Sequence, residues 1–554
     1  MDDDRTPVLT RSIWTFVWFA ILAVGTNAWG SWSIWSGFSV IGPVIALMGV
    51  VGMVLVWVIP DSHYRGFEHV SFGASIATVL LANGPLLATN HDFNTDSAAF
   101  NQRAMQLLVK GKDPYTARFK ASHLLLKNAT HFWTYTLNGT HVDKLSYPAG
   151  ALVLQTPFLL LGLRHLTTDW VDLFAWFAAA AILYVVSPRN EKWLAPLLVL
   201  ASMFTFLFAN GDTDAMFVPF MMLAALRWDD FITRTGPKWT RWLGPVSLGI
   251  ACSIKQMPWF TVPFFLVGIA IEANAHGVPV ARTLARYVGF VAAPIVAINL
   301  PFFIWSPGAW LHGTFLPLTQ PLIPDGQGLV SLATHGVARV VHPMDLQLAA
   351  ALLLVGLLAS FVIWYPKMKR AWLFALPLIL FVPSRSLSTY LVDFIPAAFV
   401  IVLTTTRVPE VNSLEVRPWL RRGVVAVPTM LAIVAATFAF LSPPLGVKLD
   451  KYSSVDDNQY FGDMKVTLHN NTDQAITPHV MVVVGSDHPD GFWRPNTRSG
   501  SLTVAAHETV TTTFIPPAHC WAPDHEENWL VEVLTSSPSA LMTTPAYHWP
   551  YPNE

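Results

Sequence analysis

The side chains that could do chemistry are few, and most stand alone in apolar sequence. Asn90-His91-Asp92-Phe93-Asn94-Thr95-Asp96 closes one hydrophobic run, and carboxylates at the exit of a membrane helix are costly unless solvated or used. Asp96 has two compatible readings: the N-cap of the amphipathic segment that follows, or a general base that accepts a proton from a hydroxyl at the water–membrane boundary. Asp92 reads as a second acid or as a solvated loop carboxylate, with His91 beside it. Asp212 and Asp214, in Asn210-Gly211-Asp212-Thr213-Asp214, read as a helix-capping turn or as a polar cavity wall. Lys255 and Gln256 interrupt apolar sequence, where a lysine either snorkels to water or meets an anion. Arg385, in Pro383-Ser384-Arg385-Ser386, has the planar fork that suits bidentate phosphate recognition. Gln327 and His335 lie in a late loop that also carries His312, Arg339 and His342, without metal-ligand spacing. No metal is required by this chemistry, although Asp92 and Asp96 together could hold a divalent ion.

The elements that must position these groups follow from composition. The chain has 554 residues, 53% hydrophobic and 12% charged, with a mean hydropathy of +0.44. Soluble domains carry about 25% charged residues, so this charge content cannot cover a soluble globule, and disorder is excluded for the same reason. Repeated apolar runs mark a polytopic membrane protein. The clear spans are about 13–30, 38–59, 70–88, 193–209, 287–304, 346–365, 387–404 and 423–441. Shorter runs lie at about 150–163, 170–187, 214–226, 243–254, 258–271 and 371–383. The acidic start and first run read as a retained anchor rather than a cleaved signal peptide. A net charge of −1 gives no footprint for nucleic acid, and the two cysteines imply no disulfide framework.

Basic clusters at Arg5/Arg11, Arg189/Lys192, 227–241, Arg282/Arg286, 367–370 and 407–422 set the orientation by the positive-inside rule. The segments 89–147, 210–214, 255–257, 305–345 and 384–386 then fall outside, as does the C-terminus. One net crossing between 148 and 188 requires a re-entrant segment there, and the total is about thirteen crossings. The two domains expected are a transmembrane body over 1–442, with external loops 89–147 and 305–345, and an extracytoplasmic β-sandwich over 443–554. The second shows period-2 alternation, as in Val480-Met481-Val482-Val483-Val484, and its 13 acidic and 5 basic residues give −8. Its aromatics, Tyr460, Trp493, Trp521, Trp529, Tyr547 and Trp549, read either as a sugar-binding platform or as sandwich core.

Within 89–147, Phe100, Ala104, Leu107 and Leu108 recur at helical spacing, while Asn101, Gln102, Arg103 and Gln106 take the other face. This predicts a helix on the membrane surface, ended by Gly111. The order of Asp96, the helix, Leu107-Leu108-Val109-Lys110-Gly111-Lys112-Asp113-Pro114-Tyr115 and then Tyr147-Pro148 resembles the first external loop of the GT-C membrane glycosyltransferases. The likeness is to the branch that uses polyprenyl-phosphate sugars, the mannosyl- and arabinofuranosyltransferases of bacterial envelopes, and it covers about 89–400. Lys255-Gln256-Met257-Pro258 and Gly326-Gln327-Gly328 look like further motifs of that branch. One departure is that three residues separate Asp92 from Asp96, whereas many GT-C enzymes set their acids adjacent or one apart.

The resemblance implies an inverting transferase in the cytoplasmic membrane. It would move a sugar from a polyprenyl-phosphate carrier to a hydroxyl of an envelope glycan or glycolipid on the outer face. Asp96 would be the base. Lys255 and Arg385 would bind the carrier phosphate, and His91, Asp92, Tyr147, Asp212, Asp214, Gln256, Gln327 and His335 would line the substrate cavity. The competing classes are a lipid-linked saccharide transporter or flippase, for which no internal repeat is visible, and an oligosaccharide polymerase or ligase, which typically keeps its main loop late in the chain. A scaffold would not explain acids and bases gathered on one side.

Overall fold

The computed structural model describes residues 8–31, 40–89, 93, 95–119, 133–205, 214–405, 418–455, 460–484, 491–498, 500–517 and 528–549. Among these, seven helices are long and apolar enough to cross a membrane: Val8–Ala28, Ile41–Val58, Asp61–Thr89, Thr167–Val186, Met257–Ala275, Val280–Trp305 and Pro343–Ile363. The helix Val280–Trp305 shows most clearly how such a surface suits a bilayer. Only 17% of the Val280–Trp305 window is buried, and Val296, Leu300 and Ile304 point outward. Facing water, such a stripe would be an aggregation surface; facing lipid, it costs nothing. Pro294 and Pro301 sit inside this helix, as membrane helices allow.

The short apolar runs divide in two ways. The run at 170–187 belongs to a full 20-residue helix, Thr167–Val186, and that at 258–271 to Met257–Ala275. Gly150–Leu160 has 11 residues, about 16 Å of rise, roughly half the hydrocarbon thickness. Two runs expected as clear spans come out shorter: that at 387–404 is broken into Ser388–Val392 and Ile395–Thr404, and that at 193–209 is helical over Leu194–Thr205, beyond which it leaves the described residues.

Small residues let the first two helices touch. A methyl at Gly25 would sit 2.3 Å from the Ala46 nitrogen, and one at Gly49 would sit 2.6 Å from that of Leu22. The Asp61–Thr89 helix then carries the chain toward the segment at 95–119.

The C-terminal region is built from strands. Four pair antiparallel in the order β4 (Leu445–Val455), β5 (Tyr460–Asn470), β8 (Thr509–Ile515), β7 (Arg494–Pro495). In a second sheet β9 (Asn528–Ser536) pairs with β6 (His479–Val484), β10 (Ser539–Thr543) and β11 (Tyr547–His548). Alternate residues of both sheets, among them Met464, Val466, Phe514, Val480, Val531 and Val533, share one buried cluster. Trp493, Trp529 and Trp549 lie in that cluster, at 4%, 1% and 4% exposure, so these three read as core, not as a sugar platform. Trp521 lies outside the described residues.

The second sheet does not stop at the end of the C-terminal segment. β2 (Val340–Val341), from the loop before the Pro343–Ile363 helix, adds to β10 in the register Val341↔Leu541 and Val340↔Met542. The Thr543 amide also donates to Arg339 O at 3.0 Å. Met481, Leu534 and Leu541 on the other face of this sheet belong to the core of the membrane body. Pairing and packing together fix the sheet against the helices.

Candidate active site

The chain builds the Asp96 position locally. Thr95 is extended, and its side chain accepts the Ala98 amide proton. Thr95 is therefore the N-cap, and Asp96 is the first helical residue of Asp96–Val109. This corrects the capping alternative for Asp96. Asp96 is 7% exposed, and its carboxylate accepts the backbone N–H of Thr134 at 2.7 Å. The helix ends as its sequence predicts: Gly111 has φ +66°, and the Lys112 amide donates back to Leu107 O at 2.9 Å. Its polar face differs from expectation. Asn101 and Gln102 are buried, and Gln102 bonds Arg164 O at 3.0 Å and the Thr167 amide at 3.1 Å. The polar stripe docks the helix onto the next span rather than facing water.

The two aromatic–proline motifs of the loop meet. Tyr115 donates its hydroxyl to Tyr147 O at 2.8 Å. Burial, and then the nearby Asp113, hold the Tyr115 phenol well above its ordinary range, so it stays a neutral donor. Tyr147 in turn shares a 2.9 Å hydrogen bond with the Ser97 hydroxyl, beside Asp96.

Asp96, Tyr147, Lys255, Gln256 and Arg385 all line one cavity of about 550 Å³. The rest of its wall is largely apolar. One face of the Pro343–Ile363 helix (Pro343, Met344, Gln347, Ala350, Ala351, Leu354) runs along it. Ser539, from β10, also reaches this wall.

Lys255 ends the Thr240–Ile254 helix in an extended conformation. It lies 5.3 Å from the ring centres of both Tyr147 and Tyr390, within cation–π range. It also forms an ion pair with Asp214, with side chains only 5% and 2% exposed. The Thr389 hydroxyl donates to the other Asp214 oxygen at 2.6 Å. Asp214 is not among the cavity-lining residues; it stands behind Lys255 and holds it. Gln256 is tied to Ser146 O at 3.0 Å and Thr314 O at 2.6 Å, joining the loop to the helix at 307–319.

Arg385 is more available. Its side chain is 22% exposed and meets Asp325 at 3.5 Å. It lies on β3 (Arg385–Ser386), parallel to β1 (Asp325–Gly326). Gly326 has φ +117°, and a methyl there would sit 2.3 Å from Ser386 O; one at Gly328 would sit 2.2 Å from Phe381 O. The two glycines of Gly326-Gln327-Gly328 let this loop lie flat behind Arg385. The Gln327 side chain is exposed and does not line the cavity. Nor does His335, which is exposed, with its ring 3.0 Å from Ser331 O. A glycine-rich turn and an isolated histidine look alike in sequence whether or not they face a ligand. His91, Asp92 and Asp212 lie outside the described residues.

Sequence reasoning missed Ser97, Tyr390, Thr389, Asp325 and the Thr134 amide. Asp325 alone left a signal, a second carboxylate directly before the glycine turn. Among the described residues no group of three or more His, Cys, Asp or Glu side chains converges as a metal site.

Comparison of the chain with family models, with curated proteins and with solved structures returned no match.

Proposed function

We propose that this protein is an inverting GT-C-type glycosyltransferase that moves a mannose- or arabinofuranose-type sugar from a polyprenyl-phosphate carrier. The acceptor is a hydroxyl of a cell-envelope glycan or glycolipid, at the outer face of the cytoplasmic membrane. The observation that carries this reading is the single cavity. One carboxylate and two cations line its polar end, and its apolar wall continues along a helix long enough to span the bilayer. A lipid-linked phosphosugar has this same division, an apolar tail joined to an anionic head. The reading extends to the architecture, with about thirteen crossings and the two C-terminal sheets as layers of a β-sandwich.

In this mechanism the apolar wall takes the polyprenyl tail. Arg385 and Lys255 face the carrier phosphate and stabilise its charge as the anomeric C–O bond breaks. A phosphate monoester is a good leaving group, so no strong acid is needed. Asp96, oriented by the Thr134 amide, accepts the proton of the attacking hydroxyl. Attack opposite the phosphate inverts the anomeric centre. Both cations have a carboxylate partner, but the Lys255–Asp214 pair is buried, whereas Arg385 is 22% exposed and meets Asp325 only at 3.5 Å, so Arg385 is the cation freer to turn toward the phosphate.

The test is transfer from a panel of polyprenyl-phosphate sugars by the purified chain and by Asp96→Asn. We expect product from one donor class, and loss of turnover by at least about 10²-fold in the variant with its melting temperature unchanged. Undiminished transfer by Asp96→Asn sinks the assignment of the base.

A further inference from the structure

The segment 133–144 has two faces. Tyr135 and His141 pair across it as an isolated bridge. Thr134, Leu137 and Val142 face the apolar cavity. Thr140, His141, Asp143 and Lys144 face a second cavity of about 510 Å³, open and polar, whose far wall carries Arg118 and His312. Leu316 and Gln320 line both cavities, so the two adjoin.

The charge of the second cavity is uneven. Arg118 and Lys144 face a single carboxylate, Asp143, which lies 3.6 Å from Arg118. Two imidazoles add donors. The wall is also rigid. Thr136 and Thr140 close the turn through a 2.8 Å backbone hydrogen bond, and the Phe119 amide donates to Asp143 O at 2.7 Å. Gly139 has φ +78° and is backed by the His479 ring of β6, 2.3 Å from where a methyl would lie. At the junction, Gln320 Oε1 is buried and accepts no hydrogen bond among the described residues. A hydroxyl reaching from one cavity to the other would supply that donor after a rotation of the amide.

We propose that the polar cavity is the acceptor site, and that the acceptor is an anionic saccharide, one bearing a phosphate or carboxylate group. Arg118 and Lys144 bind that group, and the sugar's nucleophilic hydroxyl passes Gln320 toward Asp96. This rests on the transferase reading for the direction of the hydroxyl, but the binding does not depend on turnover. The wall that holds Asp96 through Thr134 on one face holds the acceptor on the other, which sets the distance between base and nucleophile.

The experiment measures binding to the full chain in detergent, without donor, using mannose 6-phosphate, glucuronic acid and methyl α-mannoside, followed by saturation-transfer NMR. Both charged sugars should bind more tightly than the neutral one, and added salt should weaken them. Exposed ion pairs are individually weak, so R118Q/K144Q should weaken the charged sugars about five-fold and leave the neutral one unaltered. A preference for the phosphate over the carboxylate, or the reverse, identifies the anionic group. Equal binding of all three sugars, or no effect of R118Q/K144Q, overturns the inference while leaving the transferase reading intact. Selective binding of the anionic sugars with no transfer from any polyprenyl-phosphate donor overturns the transferase reading while the anion site stands.

Discussion

The Lys255–Asp214 pair separates a structural role from a catalytic one. Both side chains are almost wholly buried, and Thr389 also bonds the aspartate. Lys255→Met leaves the Asp214 carboxylate without its ammonium partner in a dry site. Removing one member of a buried pair costs about 3–5 kcal/mol, whereas replacing both by neutral groups of similar size is close to neutral. The two cation–π contacts of Lys255 add up to about 2 kcal/mol each at a desolvated site, and Lys255→Met and the double variant lose them equally. We therefore expect Lys255→Met and Asp214→Asn each to lower the thermal midpoint of the purified protein sharply, and the double variant to recover most of the loss. Transfer should behave differently. If Lys255 faces the carrier phosphate, the double variant regains stability but remains slower by about 10²-fold, the scale of one lost electrostatic contact in the transition state. Two results refute the reasoning. A double variant no more stable than the weaker single one shows that the pair is not coupled. A double variant that recovers both stability and turnover shows that Lys255 serves only to balance Asp214.

Other expectations concern the parts around the cavity. Arg385→Gln should raise the apparent KM for the lipid donor about ten-fold, as for one lost charge-assisted contact, with little change for the acceptor; steady-state kinetics with each substrate varied checks this. Gly139→Val adds a branched side chain at a positive φ and into the His479 ring, so it should destabilise the C-terminal sheets against the loop by about 1–3 kcal/mol, read as faster proteolysis near residue 139. Thr95→Ala removes the cap of the Asp96 helix and should cost about 1 kcal/mol, seen as a lower thermal midpoint. Burial holds the His479 imidazole below its ordinary 6.5. The unfolded chain therefore takes up the proton first, and stability should fall as pH drops below about 6.5 and level off beneath the lowered value. His479→Gln should flatten that part of a melting curve series between pH 8 and pH 5.

What the sequence determined by itself was local or statistical. Runs such as 38–59 and 287–304 announce their spans because every backbone group within a helix is satisfied by the same segment. Asp96 and Gly111 located the ends of the helix at 96–109 to within a residue because capping is decided within one turn, although the cap itself is Thr95. Asp96, Lys255 and Arg385 stood out because a charge amid apolar residues is costly enough to be rare. The tertiary structure decided which partner each charge meets. Asp214 lies 41 positions from Lys255, and the Arg385 guanidinium contacts Ile323 O across 62 positions; such separations leave no periodic trace. Desolvation requires that a buried lysine have a partner but does not specify which, so Asp214 could be read as a sugar contact until the fold set it behind Lys255. The same holds for the wall at 133–144, where only the fold turns Thr134, Leu137 and Val142 toward the cavity shared with helix 343–363, and Thr140, His141, Asp143 and Lys144 toward the one shared with Arg118 and His312.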